Sequence, residues 1–553
     1  MTKRQLKTLI LTDTATKARA LRRLLGRTFT VESTDGFLRN LPKTQAGIDP
    51  ENDFALKMIT VRGKAELLKQ LRRDTFDALR IYIATEPVAE GEALAAQYCE
   101  LFGINPASKC RVELRSLTKN DLRQSIENAR AINPRSVEKY WTRRLSRRLI
   151  TFGINPYLWC AVYRGLSINP LQLLLLRLID RFEPTAPPTP LEPAPVTLKT
   201  LQMWAARDLH YAAGRVVLLA QQLYEGMTFD KNFSGLIKYF RSKPLEPTTE
   251  LPPDDVRKSL TAPQLKVYEA IWNGQIPWLD EAQSTERPTD FSLMLELERL
   301  KINWSNEYSP SINVLVKGNY LERSPQGYAL TELGREVLTA LDKYFGDFLS
   351  AQSFVEIGNR IKEVSLGQTT RVEVLRSLQE PLSAAVSKAM RSLGDDPKPK
   401  DPPVIESDQV CDKCGRRMVV KRGRYGKFLA CPGYPECQNT KPYVEKLAAH
   451  CPKCGGRLTA RTLNRRRTFY GCERYPTCDF WTWDVPQERA CSNCGSTMLL
   501  HPFKDRPSML YCSNERCPSR ENHPINKIID KVRRQYEERR QKESARNERS
   551  EQS

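Results

Sequence analysis

The chain has no apolar run long enough to cross a membrane. The longest, residues 171–179 (LQLLLLRLI), is about half the roughly 20 residues a spanning helix needs, and it contains Arg177. A secretory signal is also missing: in MTKRQLKTLILTD the apolar run is too short and passes straight into polar sequence, so a cytoplasmic location is expected. Histidine is scarce, at 4 residues. Cysteine is scarce over the first 410 residues, where only Cys99, Cys110 and Cys160 occur; the other twelve fall between 411 and 517. Without an export signal, that cluster reads as metal sites before disulfides.

What is present is length, core and positive charge. A chain of 553 residues has room for about three or four domains, and 40% hydrophobic residues suffice for real cores. Lys and Arg outnumber Asp and Glu by 22, which points to a polyanionic partner, nucleic acid before membrane. Buried strands at 6–11 and 79–84, each followed by a helical stretch, predict an α/β domain with a parallel sheet to about residue 125. Residues 126–182 are helical and basic (TRRLSRRLI, 142–150). The proline-dense EPTAPPTPLEPAP at 183–195 cannot hold a helix and should be extended. Helices resume at 197–227 and from 255. The stretch 290–345 reads helix, helix, hairpin, a winged-helix order. GDDPKPKDPPVIESD at 394–408 reads as a linker.

Beyond it, three units repeat at about 40 residues: Cys411, Cys414, Cys431 and Cys437; Cys451, Cys454, Cys472 and Cys478; Cys491, Cys494, Cys512 and Cys517. A CxxC knuckle places two thiolates together, and the following hairpin returns a second pair to complete a tetrahedron. Four sulfurs leave no open position, so three structural zinc ions are expected, folding the modules without doing chemistry; His450 is then a bystander. Basic residues alternate with aromatics between the knuckles, and residues 411–553 carry 30 Lys and Arg against 16 Asp and Glu, a net +14. Arg143, Arg144, Arg422, Arg424, Arg465 and Arg466 are candidates to follow phosphates, and Tyr425, Tyr470 and Trp481 to stack on bases. Tyr425, Phe428 and Phe469 could instead form the ribbon cores. No recognition helix is visible, which favours single-stranded DNA.

Several segments have a common likeness: LILTDTATKARAL (9–21), STDGFLRNLP (33–42), IYIATEPVAEGEAL (81–94), PYLWCAVYRGLS (156–167), PVTLKTLQMWAARDL (195–209), GLIKYFR (235–241), LTAPQLKVYEAIW (260–272) and YALTELGREVL (328–338). In this order, and with the ribbons after them, they resemble the bacterial type IA DNA topoisomerase family over most of residues 5–520. The resemblance implies a TOPRIM-like α/β domain (1–125), a helical, winged-helix-like core (126–182 and 287–370), a tyrosine-bearing domain (197–275), a linker (394–408), three four-cysteine zinc ribbons (409–440, 449–485, 489–522) and a basic tail (523–553). It implies Tyr239 as nucleophile with Arg241 beside it, Asp13 and Lys17 at the scissile phosphate, and Glu86 and Glu90 as Mg²⁺ ligands. It also makes RNA polymerase a candidate partner of the ribbons in a nucleoid-associated protein expected to be monomeric.

The departures from that family carry as much weight. The acidic triple, expected at i, i+2 and i+4 of a strand end, reads Glu86, Val88, Glu90, so a middle carboxylate is lost and Mg²⁺ binding is weakened. Ala89 replaces an arginine, Phe37 a histidine and Arg147 an acidic residue. SINPLQL (167–173) and INWSNEYS (302–309) replace glycine- and arginine-bearing segments, and the histidine-bearing motif after Tyr239 is missing. Both passes of an arch domain are missing too: the proline bridge 183–196 stands for the first, and about a dozen residues between 272 and 287 for the second. Two readings follow. The favoured one is a DNA-binding protein that has lost strand passage; the other is an Mg²⁺-dependent, ATP-independent topoisomerase cleaving single strands through Tyr239. A metal-only nuclease is disfavoured by Val88.

Overall fold

The structure is a computed structural model describing residues 8–183, 195–226, 234–241, 244–248, 252–276, 286–324, 326–346, 348–423, 426–443, 445–463, 467–501, 509–521 and 523–526. It divides into two compact units, 1–402 and 403–553.

The first unit opens with β1 (Thr8–Thr12), α1 (Ala15–Leu25) and β2 (Phe29–Ser33). Four two-residue strands follow: β3 (Arg39–Asn40), β4 (Ile48–Asp49), β5 (Ala55–Leu56) and β6 (Ile59–Thr60). Then come α2 (Ala65–Phe76), β7 (Arg80–Thr85), α3 (Ala89–Phe102), β8 (Arg111–Glu113) and α4 (Lys119–Glu127). The sheet is parallel throughout, in the order β2-β1-β7-β8. A parallel sheet must be covered on both faces, and side chains alternate accordingly. Leu9, Leu11 and Ile83 pack with Leu94 and Tyr98 of α3. Ile10, Tyr82, Ala84 and Val112 face the other way, into a core shared with Leu223, Tyr224, Leu236, Ile237, Tyr239 and Phe240. The tyrosine-bearing segment is therefore one cover of this sheet.

The helical body contains α5 (Pro134–Ala161), α6 (Pro170–Asp180), α7 (Leu198–Asp208), α8 (Ala213–Gln221), α9 (Pro253–Val256) and α10 (Ala262–Trp272). The apolar run of the sequence is α6, entered through an Asn169–Gln172 capping box and buried almost throughout; it is a core helix. A winged-helix arrangement follows: α11 (Asp290–Arg299), α12 (Tyr308–Lys317), the hairpin β9 (Leu321–Ser324) and β10 (Gly327–Leu330), then α13 (Glu332–Phe345). The helices α14 (Ala351–Leu366) and α15 (Arg371–Arg391) pack on α5, carrying the body past residue 370. Part of the expected linker also belongs to the body, since Lys400 N donates to Trp159 O at 2.9 Å and Arg164 N to Lys400 O at 2.8 Å.

The proline bridge and the second short crossing lie, for 184–194 and 277–285, outside the described residues. Just inside them, Pro195 and Gln275 meet in an isolated antiparallel bridge, so the described ends next to the two crossings are neighbours.

The second unit holds three small antiparallel sheets. These are β11 (Ile405–Val410), β12 (Arg417–Gly423), β13 (Gly426–Ala430) and β14 (Thr440–Pro442); β15 (Glu445–His450), β16 (Arg457–Leu463), β17 (Arg467–Cys472) and β18 (Trp481–Thr482); and β19 (Val485–Ala490), β20 (Thr497–His501) and β21 (Met509–Cys512), followed by α16 (Pro518–Glu521). Most of the expected tail, 527–553, lies outside the described residues.

Candidate active site and metal centres

The chain leaves β1 through Asp13, and Thr14 caps α1 by accepting from Lys17 N at 3.2 Å. That turn sets Asp13 and Lys17 four residues apart on one side, with Lys17 Nζ at 2.9 and 2.8 Å from the two Asp13 oxygens. Glu86, just past the end of β7, also binds Lys17 Nζ, and Glu225 Oε2 lies 3.9 Å away. The Lys17 side chain is only 1% exposed. Burial pulls its pKa down, but the Glu86 and Asp13 carboxylates outweigh burial and hold it above the ordinary lysine value.

Glu225 was not among the sequence candidates. It lies on a π-helical turn, Gln222–Gly226, and such turns often mark functional sites. Burial raises its carboxyl pKa, Lys17 opposes, and its Oε2 is buried without a hydrogen-bond partner. The sequence signal available was the acidic residue in the LYEG segment just ahead of GLIKYFR.

Glu86, Val88 and Glu90 are not the strand end expected from their spacing. β7 stops at Thr85, Pro87 cannot donate to a ladder, Val88 is the N-cap of α3, and Glu90 stands in its first turn. The turn is tight because α3 starts against the Glu86 carbonyl: a Cβ on Gly91 would lie 2.2 Å from Glu86 O. Val88 supplies no cap and packs against the apolar core shared with the tyrosine segment. Glu90 opens to solvent. Desolvation raises its carboxyl pKa, with Arg241 pulling it down and Glu86 pushing it up.

Tyr239 is buried, its ring edge-on to Tyr224 at 5.4 Å. Burial and the neighbouring Glu86 push the phenol well above the ordinary tyrosine value, while Arg241 opposes. Arg241 is exposed, with its guanidinium 5.7 Å from the Phe240 ring. All six sequence candidates for catalysis and Mg²⁺ thus share one electrostatic neighbourhood. The carboxylates among them, Asp13, Glu86 and Glu90, offer oxygen donors, as Mg²⁺ prefers, and Glu225 Oε2, 3.9 Å from Lys17 Nζ, makes no hydrogen bond, so these carboxylates fit the ion.

Of the candidate DNA contacts in the body, Arg143 is exposed and Arg144 half-buried. Arg144 binds Asn40 and, at 2.9 Å, the Tyr140 hydroxyl, with the rings of Phe37 and Trp141 at 5.6 and 5.4 Å. Phe37 and Arg144 therefore form one aromatic cage. Arg147 is paired with Glu307, so two departures from the family pattern meet in one ion pair.

The twelve ribbon cysteines form three groups of four, with ligand atoms within 4.8 Å of one another in each. Sγ–Sγ distances are 3.6 and 3.3 Å in the first, 3.7 and 3.4 Å in the second, and 3.8 and 3.4 Å in the third. Tetrahedral zinc with Zn–S near 2.3 Å requires about 3.8 Å, so each group fits a structural zinc ion. The second and third ribbons are joined: Thr497 Oγ1 donates to His450 O at 2.6 Å, and Asp484 binds His501 at 2.7 Å and the Tyr511 hydroxyl. Trp481 is 54% exposed and Tyr470 half-buried. Arg424, Tyr425, Arg465 and Arg466 lie outside the described residues; Arg422 belongs to β12. Two exposed rings were missed, Tyr434 (68%) and Tyr475 (64%), although a shared C-x-x-Y-P-x-C spacing marks both.

Comparison with known proteins agrees with this arrangement. Residues 8–117 match the family described as the Toprim domain. Residues 408–446 and again 448–487 match the topoisomerase DNA binding C4 zinc finger. The fold is similar to that of full-length topoisomerase I from Thermotoga maritima, with a TM-score of 0.61 at 21% identity over 79% of this chain and 97% of that one. Among the described residues no helix is long and apolar enough to cross a membrane. The chain thus carries a Toprim domain and topoisomerase-type C4 zinc ribbons, in a fold similar to that of topoisomerase I.

Proposed function

We propose that this chain is a member of the type IA topoisomerase family that binds single-stranded DNA through its core and three zinc ribbons and no longer passes strands. The observation that carries the reading is the shared core. Leu223, Tyr224, Leu236, Ile237, Tyr239 and Phe240 are buried in the same cluster as the face of the Toprim sheet. Exposing six such side chains costs on the order of 10 kcal/mol. A gate that lifts the tyrosine away must meet that cost, and only two short crossings, next to the paired Pro195 and Gln275, remain where the family has an arch.

The ribbons supply the binding chemistry. Positive charge follows the phosphates and releases counterions, while Trp481, Tyr434 and Tyr475 offer exposed faces to bases. The protein acts as a nucleoid-associated monomer, and RNA polymerase is the protein partner for which the ribbons are candidates. Fluorescence anisotropy of labelled oligonucleotides across a salt series tests the reading. Binding should fall steeply with salt and weaken strongly without residues 409–553. Salt-insensitive binding, or full affinity in residues 1–400, would refute it.

The second reading, residual cleavage, is favoured by the convergence of Tyr239, Arg241, Lys17, Asp13, Glu86 and Glu90. In that reaction the Tyr239 phenol gives up its proton, an O–P bond to tyrosine forms and the phosphate bond to the sugar oxygen breaks; the reverse step rejoins the strand. Lys17 and Arg241 would balance charge on the phosphate. Mg²⁺, held by Glu86 and Glu90 with Asp13 or Glu225 nearby, would add a Lewis acid at that phosphate. The raised Tyr239 pKa opposes the first step.

A further inference from the structure

Three cysteines lie outside the zinc groups, and two of them are neighbours. Cys99, near the end of α3, and Cys110, immediately before β8, have their sulfurs 3.8 Å apart, both buried. The turn joining them, residues 103–109, is mostly exposed, and Cys110 Sγ lies 3.9 Å from the carbonyl of exposed Asn105. The pair thus lies at the edge of the core, beside an exposed loop.

We propose that Cys99 and Cys110 form a reversible disulfide, a redox modification site built into the Toprim domain. A contact of 3.8 Å closes to the roughly 2.05 Å of a disulfide by small side-chain rotations. The chemistry within the pair is asymmetric. The contact with the Cys99 thiol, with Ser108 and Arg111 adding to it, holds the Cys110 thiol down at about 6 against burial, while Cys99 is pushed up. Cys110 is then the attacking thiolate and Cys99 the resolving thiol. With hydrogen peroxide as oxidant, the Cys110 sulfur attacks one peroxide oxygen: an S–O bond forms, the O–O bond breaks and hydroxide leaves. The Cys99 sulfur then attacks the sulfenic sulfur; the S–S bond forms, the S–O bond breaks, and water leaves. Two thiols lose two electrons and two protons to one peroxide, giving two waters.

The position of the bond gives it a consequence at the candidate active site. Arg111, next in sequence to Cys110, is fully buried and donates to the Glu86 carbonyl at 2.7 Å and the Thr85 carbonyl at 3.1 Å. Its Nε also binds Glu92 of α3 at 3.0 Å. A staple between α3 and the entry to β8 would fix the scaffold that holds Glu86.

The test uses the full-length, zinc-loaded protein, treated with modest excess hydrogen peroxide, alkylated in denaturant, and digested with trypsin without reductant. Mass spectrometry should find peptide 81–109 linked to peptide 110–111, with Cys160 alkylated and the link lost after dithiothreitol. The oxidised chain should melt several degrees higher, because the bond restricts the unfolded chain. A Cys99→Ser variant should leave a sulfenic acid on Cys110 that dimedone traps. Recovery of both thiols alkylated after peroxide would overturn the proposal. So would Cys110 oxidised beyond sulfenic acid with Cys99 intact, or either cysteine linked to a third. Peptide mapping of the wild-type protein separates these outcomes even if the variant does not fold.

Discussion

The backbone nitrogen of Tyr239 donates to the carbonyl of Arg115 at 2.7 Å. It is one of three bonds down a single stretch of the Toprim domain: Ser234 N donates to Leu117 O at 2.8 Å, and the Tyr224 hydroxyl to Leu114 O at 2.9 Å. The irregular stretch after β8 and the tyrosine segment are laced together, with the shared core beneath. If they form one cooperative unit, Phe240→Ala should destabilise both together by about 3–5 kcal/mol. Hydrogen exchange checks this: amides of 234–240 should open with those of β1 and β7. Exchange of the tyrosine segment well below global unfolding would restore a separable gate.

The adduct is the most direct question for Tyr239. Incubation of an end-labelled oligonucleotide with Mg²⁺, followed by denaturing electrophoresis, should yield no protein-linked DNA, and supercoiled plasmid should stay supercoiled. Tyr239→Phe should bind oligonucleotide as well as wild type. An adduct that disappears in Tyr239→Phe would establish the cleavage reading; plasmid relaxation would in addition refute the loss of strand passage.

Val88 is both a missing carboxylate and a missing cap. Because it occupies the N-cap of α3 with no side-chain acceptor, Val88→Asp should gain about 1 kcal/mol from capping, less what the packed valine contributes to the core. The same change adds an oxygen donor between Glu86 and Glu90. Mn²⁺ titration followed by electron paramagnetic resonance should show tighter binding in the variant, and unchanged affinity would place residue 88 outside any metal shell.

Much of this geometry was legible in the sequence, and what was not has physical reasons. Alternating strands and helices gave the parallel sheet because a doubly covered sheet needs long apolar strands. The cysteine spacing gave three metal groups because a tetrahedron of sulfurs admits few spacings. The strand-end geometry of Glu86, Val88 and Glu90 misled because period-two reasoning presumes that the strand continues, whereas Pro87 ends it. Glu225 and the Arg147–Glu307 pair were hidden because each joins residues more than a hundred positions apart, or depends on a π-turn that no local periodicity announces.

Among the described residues, Lys17 is the one cation paired with Asp13, Glu86 and Glu225. Lys17→Met should therefore cost about 3–5 kcal/mol near neutral pH, since three carboxylates are left without a buried counter-charge. The pH dependence follows from Glu225, whose folded pKa is raised: its protonated form favours the fold, so stability falls as pH rises through that pKa. Losing Lys17 removes the influence that lowers it, so the deficit of the variant should narrow as pH falls toward 5 and widen again toward 8. Urea titrations at several pH values would measure it, and a pH-independent deficit would mean that Lys17 contributes packing alone.

The ribbons should stand or fall with their metal, because each is a few short strands around four sulfurs. Zinc release on denaturation should count three ions per chain, and Cys411→Ser should lower that count by about one. Chelation should abolish oligonucleotide binding by the second unit while the parallel sheet of the first keeps its melting transition. Charge and stacking can then be separated within the loaded protein. Trp481→Ala, Tyr434→Ala and Tyr475→Ala should each weaken binding by about 1–3 kcal/mol where the ring meets a base, with the slope of affinity against salt unchanged. Replacing an exposed arginine such as Arg416 should instead lower that slope. If the ring variants changed the slope and not the intercept, the exposed aromatics would be acting through ribbon folding, and zinc content would fall with them.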